Sequence, residues 1–220
     1  MNSTNFTRAY NKAYMNKAQN INSNVLTNSN KKVKAYLFSL PPIQSCLNHK
    51  SCASTCYAVK SYRQYPSCKA LWDYNYTLAR TNLKELYRRL DNELYKIDKS
   101  RSSIKTVRIH QSGDFINNAY IDMWYSLAIK YPNLTFYGYT KVDKLLNVDK
   151  LNTLNNVNII KSVLNGKRNY GSVSYVTKLV KDEGAVICDA TYGENKDAVK
   201  CGVTCNKCMV PGTKVVFVQH

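Results

Sequence analysis

The sequence predicts an α/β fold, a partial (βα)6 TIM-like barrel with parallel strands and Cys-rich loops at the C-terminal rim. Two observations carry that prediction. Short apolar runs rich in Val, Ile, Tyr and Phe alternate with helical segments along much of the 220-residue chain, the pattern of parallel strands joined by right-handed crossovers. The residues able to do chemistry fall just after those runs, where α/β folds build their sites. Six such units curl more naturally into a partial barrel than into a closed eight-fold one.

Residues 1–32 hold nine Asn and few large apolar side chains. They read as an Asn/Lys-rich N-terminal arm, with one short helix around Arg8–Gln19, ahead of a single domain over 33–220. Val33–Leu40 is a nearly continuous apolar run closed by Pro41-Pro42, hence a buried strand and a rigid turn. Lys69–Lys99 reads as one long helix, with Leu83, Leu86, Leu90, Leu94 and Ile97 on a single stripe. Thr106–His110 is the second strand, and Ser112-Gly113-Asp114 is its turn. Asn117 caps a helix whose Tyr120, Trp124 and Leu127 share a face, with Pro132 beyond its end. Leu134–Thr140 and Val157–Val163 are the third and fourth strands, separated by a weak helix over Asp143–Leu154. Val173–Lys181 reads as a short helix, Ala185–Cys188 as the fifth strand and Lys214–Gln219 as the sixth.

Composition narrows the class. Nothing approaches the roughly 18 consecutive apolar residues of a membrane span, and the first twenty residues lack the apolar core of a secretory signal. The expectation is therefore a cytoplasmic protein, where disulfides are rare and eight Cys point to metal. The net charge is +18, and no Asp or Glu precedes Asp73 while ten Lys and Arg do. That imbalance suits nucleic acid or another polyanion as partner, and it equally suits plain solvation or the neutralising of an anionic metal–thiolate centre.

Cys46, Cys52 and Cys56 crowd the loop after the first strand. Three thiolates from one loop leave a fourth coordination position open. Cys188 with Cys201, Cys205 and Cys208 supplies four, suited to a closed zinc site or to an iron–sulfur cluster. The uneven C-x5-C-x3-C and C-x3-C-x2-C spacings favour one or two iron–sulfur clusters, with zinc as the alternative. All seven thiols could also converge on one rim. Cys68, opening a helix, reads as an unbound thiol. His110 and Asp114, at the end of the second strand, are the candidate catalytic residues; a satisfied core role is the competing reading for His110. Tyr139, Thr140 and Lys141 end the third strand, Ser162 lies on the fourth and His220 follows the sixth. Arg108, mid-strand, must be paired if it faces inward, and a cluster or Asp114 would serve.

The segments SLPPIQSC, CASTCYA, VRIHQSGDF, YIDMW, TFYGYTK, CGVTCNKC and VVFVQH, in this order, resemble the phage gene-product-88 family from about residue 28 to the C-terminus. That resemblance implies a bacteriophage protein expressed in the host bacterial cytoplasm. More distantly the chain is similar to radical S-adenosylmethionine (SAM) enzymes, whose three-Cys [4Fe–4S] loop follows the first strand of a partial barrel. Cys46, Cys52 and Cys56 stand at that place. Ser112, Gly113 and Asp114 stand where that superfamily holds the methionyl amine, and Thr140 and Lys141 join them as candidate cofactor-binding residues. The superfamily's loop is C-x3-C-x2-C, so the spacing here departs from it. The expectation is a phage-type iron–sulfur protein, catalytic or not, with possible SAM or another small molecule at the open position. The alternative is a non-catalytic basic iron–sulfur or zinc module binding nucleic acid or a bacterial host protein. A zinc nuclease using His110, Asp114 and His220 ranks last, for want of any matching motif.

Overall fold

β-branched and aromatic residues set out the sheet, and the computed structural model shows it as seven parallel strands. It describes residues 9–16, 24–29, 32–50, 52–142, 146–164, 173–177, 186–189 and 199–218. The strands are β1 (Tyr36–Leu37), β2 (Thr106–Ile109), β3 (Thr135–Thr140), β4 (Val157–Leu164), β5 (Val173–Thr177), β6 (Val186–Ile187) and β7 (Lys214–Val218). Their spatial order is β1-β2-β3-β4-β5-β7-β6, and every pairing is parallel. The helices are α1 (residues 9–16), α2 (Tyr57–Gln64), α3 (Pro66–Thr81), α4 (Leu83–Lys99) and α5 (Asn118–Lys130).

Three expectations change. The segment read as a helix from Val173 is β5: four of its five residues, Val173, Tyr175, Val176 and Thr177, are β-branched or aromatic, which suits a pleated strand. The remainder of that segment, 178–181, lies outside the described residues. The single helix expected over Lys69–Lys99 is two, because Asn82 leaves helical geometry and its side chain accepts the Glu85 N–H at 3.1 Å as an N-cap. Between β3 and β4 the expected weak helix is a 3-10 segment, Val148–Thr153, with 143–145 outside the described residues. The mixed α/β class and the parallel strands stand. A sequential barrel does not emerge, since β7 inserts between β5 and β6, and no ladder joins β6 to β1 among the described residues.

The two faces of the sheet differ. Val107, Ile109, Phe136, Val157 and Ile159 face α4 and α5, burying Leu86, Leu90, Leu94, Tyr120, Trp124 and Leu127 in the main core. On the other face a cross-strand row runs Leu37, Arg108, Tyr137, Asn158 in register. That face packs with Val33, Ala35, Tyr139 and the C-terminal Cys segment. The described pieces of the N-terminal arm are tied to the domain. Tyr14 donates to Asp73 at 3.1 Å, and the Val25 and Leu26 N–H groups donate to Glu93 at 2.6 and 3.2 Å. Buried Asn75 on α3 donates to the carbonyls of Val25 and Ser39.

Candidate metal centre

The β1–β2 pairing runs past the strands to Leu40, whose N–H donates to the Ser112 carbonyl at 2.9 Å. Pro41-Pro42 then forces a turn in which Ile43 takes φ +67. A β-branched residue there is strained by about 1–3 kcal/mol. The turn holds it: Ser45 Oγ donates to the Pro41 carbonyl at 2.6 Å and Cys46 N–H to that of Ile43 at 3.1 Å. Cys52 N–H donates to the His49 carbonyl, and Cys56 opens α2.

Gly113 locks this loop to the end of β2. It sits at φ +85, and a Cβ there would lie 2.5 Å from Ser45 Oγ and 2.6 Å from Leu40 Cβ. Asp114 is buried, and both its carboxylate oxygens are engaged: they accept from Phe115 N–H at 2.8 Å, Thr140 Oγ1 at 2.7 Å and Lys141 N–H at 2.8 Å. Burial raises its pKa and those three bonds oppose the rise. Asn48 Nδ2 donates to the Lys141 carbonyl at 3.0 Å, clipping the Cys loop to the end of β3. Thus the first Cys loop, Ser112-Gly113-Asp114 and Thr140-Lys141 do meet at the carboxyl ends of β1, β2 and β3.

The thiols there share one environment. Burial pushes Cys46 up to about 11, reinforced by Asp114, Cys56 and Cys52. Burial also raises Cys52, while the Lys141 cation pulls the other way. As bare thiols Cys46 and Cys52 are protonated near neutral pH, so metal uptake there must displace protons.

His110 is elsewhere. It follows β2 at φ +60 and is buried against Phe38, Phe115 and Tyr120, with Nε2 2.9 Å from the Tyr120 hydroxyl. Burial lowers its pKa to about 3. The geometry is that of a neutral core histidine packed toward α5. Asp114 likewise serves as a structural clip among the described residues.

The segment carrying Cys201, Cys205 and Cys208 sits apart from the rim. Cys201 pairs with Val33, just ahead of β1, and exchanges backbone bonds with Lys32 and Lys34. Gly202, at φ +88, has the Lys34 carbonyl 2.5 Å from where a Cβ would stand. Asn158, near the start of β4, donates to the carbonyls of Cys208 and Val210. The segment therefore lies across the sheet face near the strand starts, and the expectation of both Cys loops at the C-terminal rim is corrected for this one. A short polar segment with few large apolar side chains gains most by pairing its backbone along an open edge, and residues 32–34 offer one. Cys188, after β6, donates its N–H to the Val216 carbonyl at 2.8 Å. Cys188 and Cys205 both perturb Cys201 and Cys208, and burial pushes Cys208 up to about 11. None of these four is among the groups perturbing Cys46 or Cys52. Cys68, half-buried on α3, stands outside both groups. His220 lies outside the described residues.

As the side chains stand, no three His, Cys, Asp or Glu are gathered at metal-holding distance among the described residues. The donor chemistry nevertheless fits a thiolate-held centre, with two separate sets of half-buried thiols and a cation beside each, Lys141 at Cys52 and Arg108 at Cys201. Such cations offset the charge that ligation would develop.

A family model described as Gene product 88 matches residues 5–217. The chain belongs to the Gene product 88 family. It is also similar to the "Gene 88 protein" of Mycobacterium phage L5, 30% identical over 95 residues. That match covers 41% of this chain and 40% of the phage protein, so the chain spans about two fifths of that relative's length. No solved structure matches. Among the described residues no helix is long and apolar enough to cross a membrane.

Sequence reasoning overlooked Asn48, Ile43 and Tyr57. Tyr57, next to Cys56, donates its hydroxyl to the Gln111 carbonyl and lies beside Arg108. No local pattern marks any of the three, because each acts through a partner at least 50 residues away or through backbone strain.

Proposed function

We propose that this chain is a phage-type iron–sulfur protein, with one cluster held by Cys46, Cys52 and Cys56. Cys188, Cys201, Cys205 and Cys208 hold a second thiolate centre, either a cluster or zinc. The observation that carries the reading is one loop bearing three thiols, seated at the carboxyl ends of β1, β2 and β3 around a strained turn and clipped to Lys141 by Asn48. Three ligands leave one iron open to a small molecule, whereas four close the other site. In its fuller form the reading makes the sheet the wall of a partial, radical-SAM-like barrel and SAM the open-site ligand. The cluster has the stronger support: the Asp114 carboxylate already accepts three hydrogen bonds and has little capacity left for a cofactor amine.

A binding role has its own support in the charge of +18 and the acid-free stretch before Asp73. In that reading the centres are structural and the basic surface meets nucleic acid or a host protein. The test is anaerobic purification of the full chain alongside a Cys46→Ala, Cys52→Ala, Cys56→Ala triple variant. Broad visible absorption with iron and sulfide, reduced by one cluster's share in the variant, supports the first reading. A colourless wild-type chain carrying only zinc sinks it.

A further inference from the structure

Among the described residues Arg108 makes no ion pair with a carboxylate. It lies mid-strand on β2, opposite Tyr137 in register, with its guanidinium over the Tyr137 ring at 6.0 Å and the Tyr139 ring at 5.3 Å. Its Nε is closed off from solvent and makes no hydrogen bond among the described residues. Its cross-strand neighbours Leu37 and Tyr137 belong to the cluster against which Cys201 and Cys208 pack. Ring faces attract a cation, but they do not replace an anion for a half-buried guanidinium whose Nε is shut off from solvent. Asp114, the partner expected from sequence, is held by Thr140 and Lys141 instead. On the same sheet face Tyr139 packs against the cluster that also meets Cys201 and Cys208.

We propose that Arg108 and Tyr139 are positioning residues for the centre held by Cys188, Cys201, Cys205 and Cys208, the first balancing its charge and the second donating to the Cys208 sulfur. This rests on the thiolate reading above. Four thiolates around a zinc ion or a [4Fe–4S] core leave roughly two negative charges, and Arg108, over the Tyr139 ring, is a cation on the sheet face that Cys201 and Cys208 cover. Hydrogen bonds to ligating sulfurs govern both metal retention and, for a cluster, reduction potential. The array also explains why β3 alternates Phe136 and Gly138 on the helix side with Tyr137 and Tyr139 on the other: the tyrosines line the face that the Cys segment covers.

The test compares the full-length chain, as purified anaerobically, with Arg108→Gln, Arg108→Lys, Tyr139→Phe and Cys205→Ser. Metal and sulfide per chain, the rate of metal loss to a chelator and the absorption spectrum are read for each. Cys205→Ser should remove the metal of the four-thiol centre and leave that of the Cys46 set. Arg108→Gln should weaken retention there by about 10–100-fold, the usual effect of losing a group that orients metal ligands. Arg108→Lys should recover part of it, and Tyr139→Phe should shift the sulfur-to-metal absorption. Tyr139→Phe removes a single oxygen, so it decides the matter if Arg108→Gln fails to fold. Wild-type retention and spectrum in both Arg108→Gln and Tyr139→Phe, with metal lost in Cys205→Ser, would overturn the assignment while leaving the four-thiol centre intact. Metal content unchanged by Cys205→Ser would overturn the four-thiol centre itself, and this assignment with it.

Discussion

Gly113 governs the first Cys loop without offering any ligand. Its φ of +85 excludes most side chains, and its missing Cβ makes room for Leu40 and Ser45. Gly113→Ala should cost at least about 1–3 kcal/mol from backbone strain alone, seen as a lower melting temperature. Because the displaced residue is Ser45, neighbour of Cys46, the same variant should lose metal from the first set before the second. The sequence marked Gly113 as a turn residue, but not what it packs against, since that contact joins positions 68 residues apart in the chain. His110 shows the converse. Its place after a strand made it a candidate for chemistry, and only the edge contact with Phe115 and the stack on Tyr120 reveal a neutral core residue.

At the scale of elements, segment 24–29 is fastened to α4 through Glu93, which accepts the Val25 and Leu26 N–H groups. Burial raises this carboxyl to about 7 from an ordinary 4.5, although both N–H bonds, Lys96 and Arg89 oppose the rise. The folded chain therefore holds that proton more tightly than the unfolded one. Its contribution is fully present below pH 4.5 and is lost as pH climbs to 7. His110, depressed from 6.5 to about 3, acts oppositely: its contribution is present above pH 6.5 and is lost as pH falls toward 3. Between pH 4.5 and 6.5 the two slopes offset each other. Denaturation profiles of Glu93→Gln should therefore show an acid sensitivity that the wild type lacks there, at most about 1.4 kcal/mol per pH unit. Parallel profiles would contradict the clip. Gly202→Ala tests the other fastening: with the Lys34 carbonyl 2.5 Å from the new Cβ, the Cys201 segment should leave its edge and release its metal, while the Cys46 set stays loaded. Elements with strong local patterning, such as α4 with its Leu stripe, were legible in the sequence. β5 was not, because five residues of Val, Ser, Tyr and Thr carry a period too short to separate strand from helix.

The whole molecule combines a parallel sheet, two separate thiol sets and a large positive charge. Parallel strands and a first Cys loop at their carboxyl ends were legible because the crossover pattern and the strand-end rule both act locally. The strand order at β5-β7-β6 and the seating of the second Cys segment near the strand starts were not, since both depend on which edge remains open once the rest has paired. If the basic surface serves nucleic acid, binding should fall steeply with salt, as phosphate contacts require; affinity unchanged between low and high salt would exclude that role. The central claim is the cluster on Cys46, Cys52 and Cys56, and it is tested most directly by iron and acid-labile sulfide per chain together with the electron paramagnetic resonance spectrum of the dithionite-reduced protein. The account predicts near-equal iron and sulfide and a cluster signal that disappears when those three Cys become Ala. Stoichiometric zinc without sulfide, or a cluster signal untouched by removing the three Cys, would contradict it.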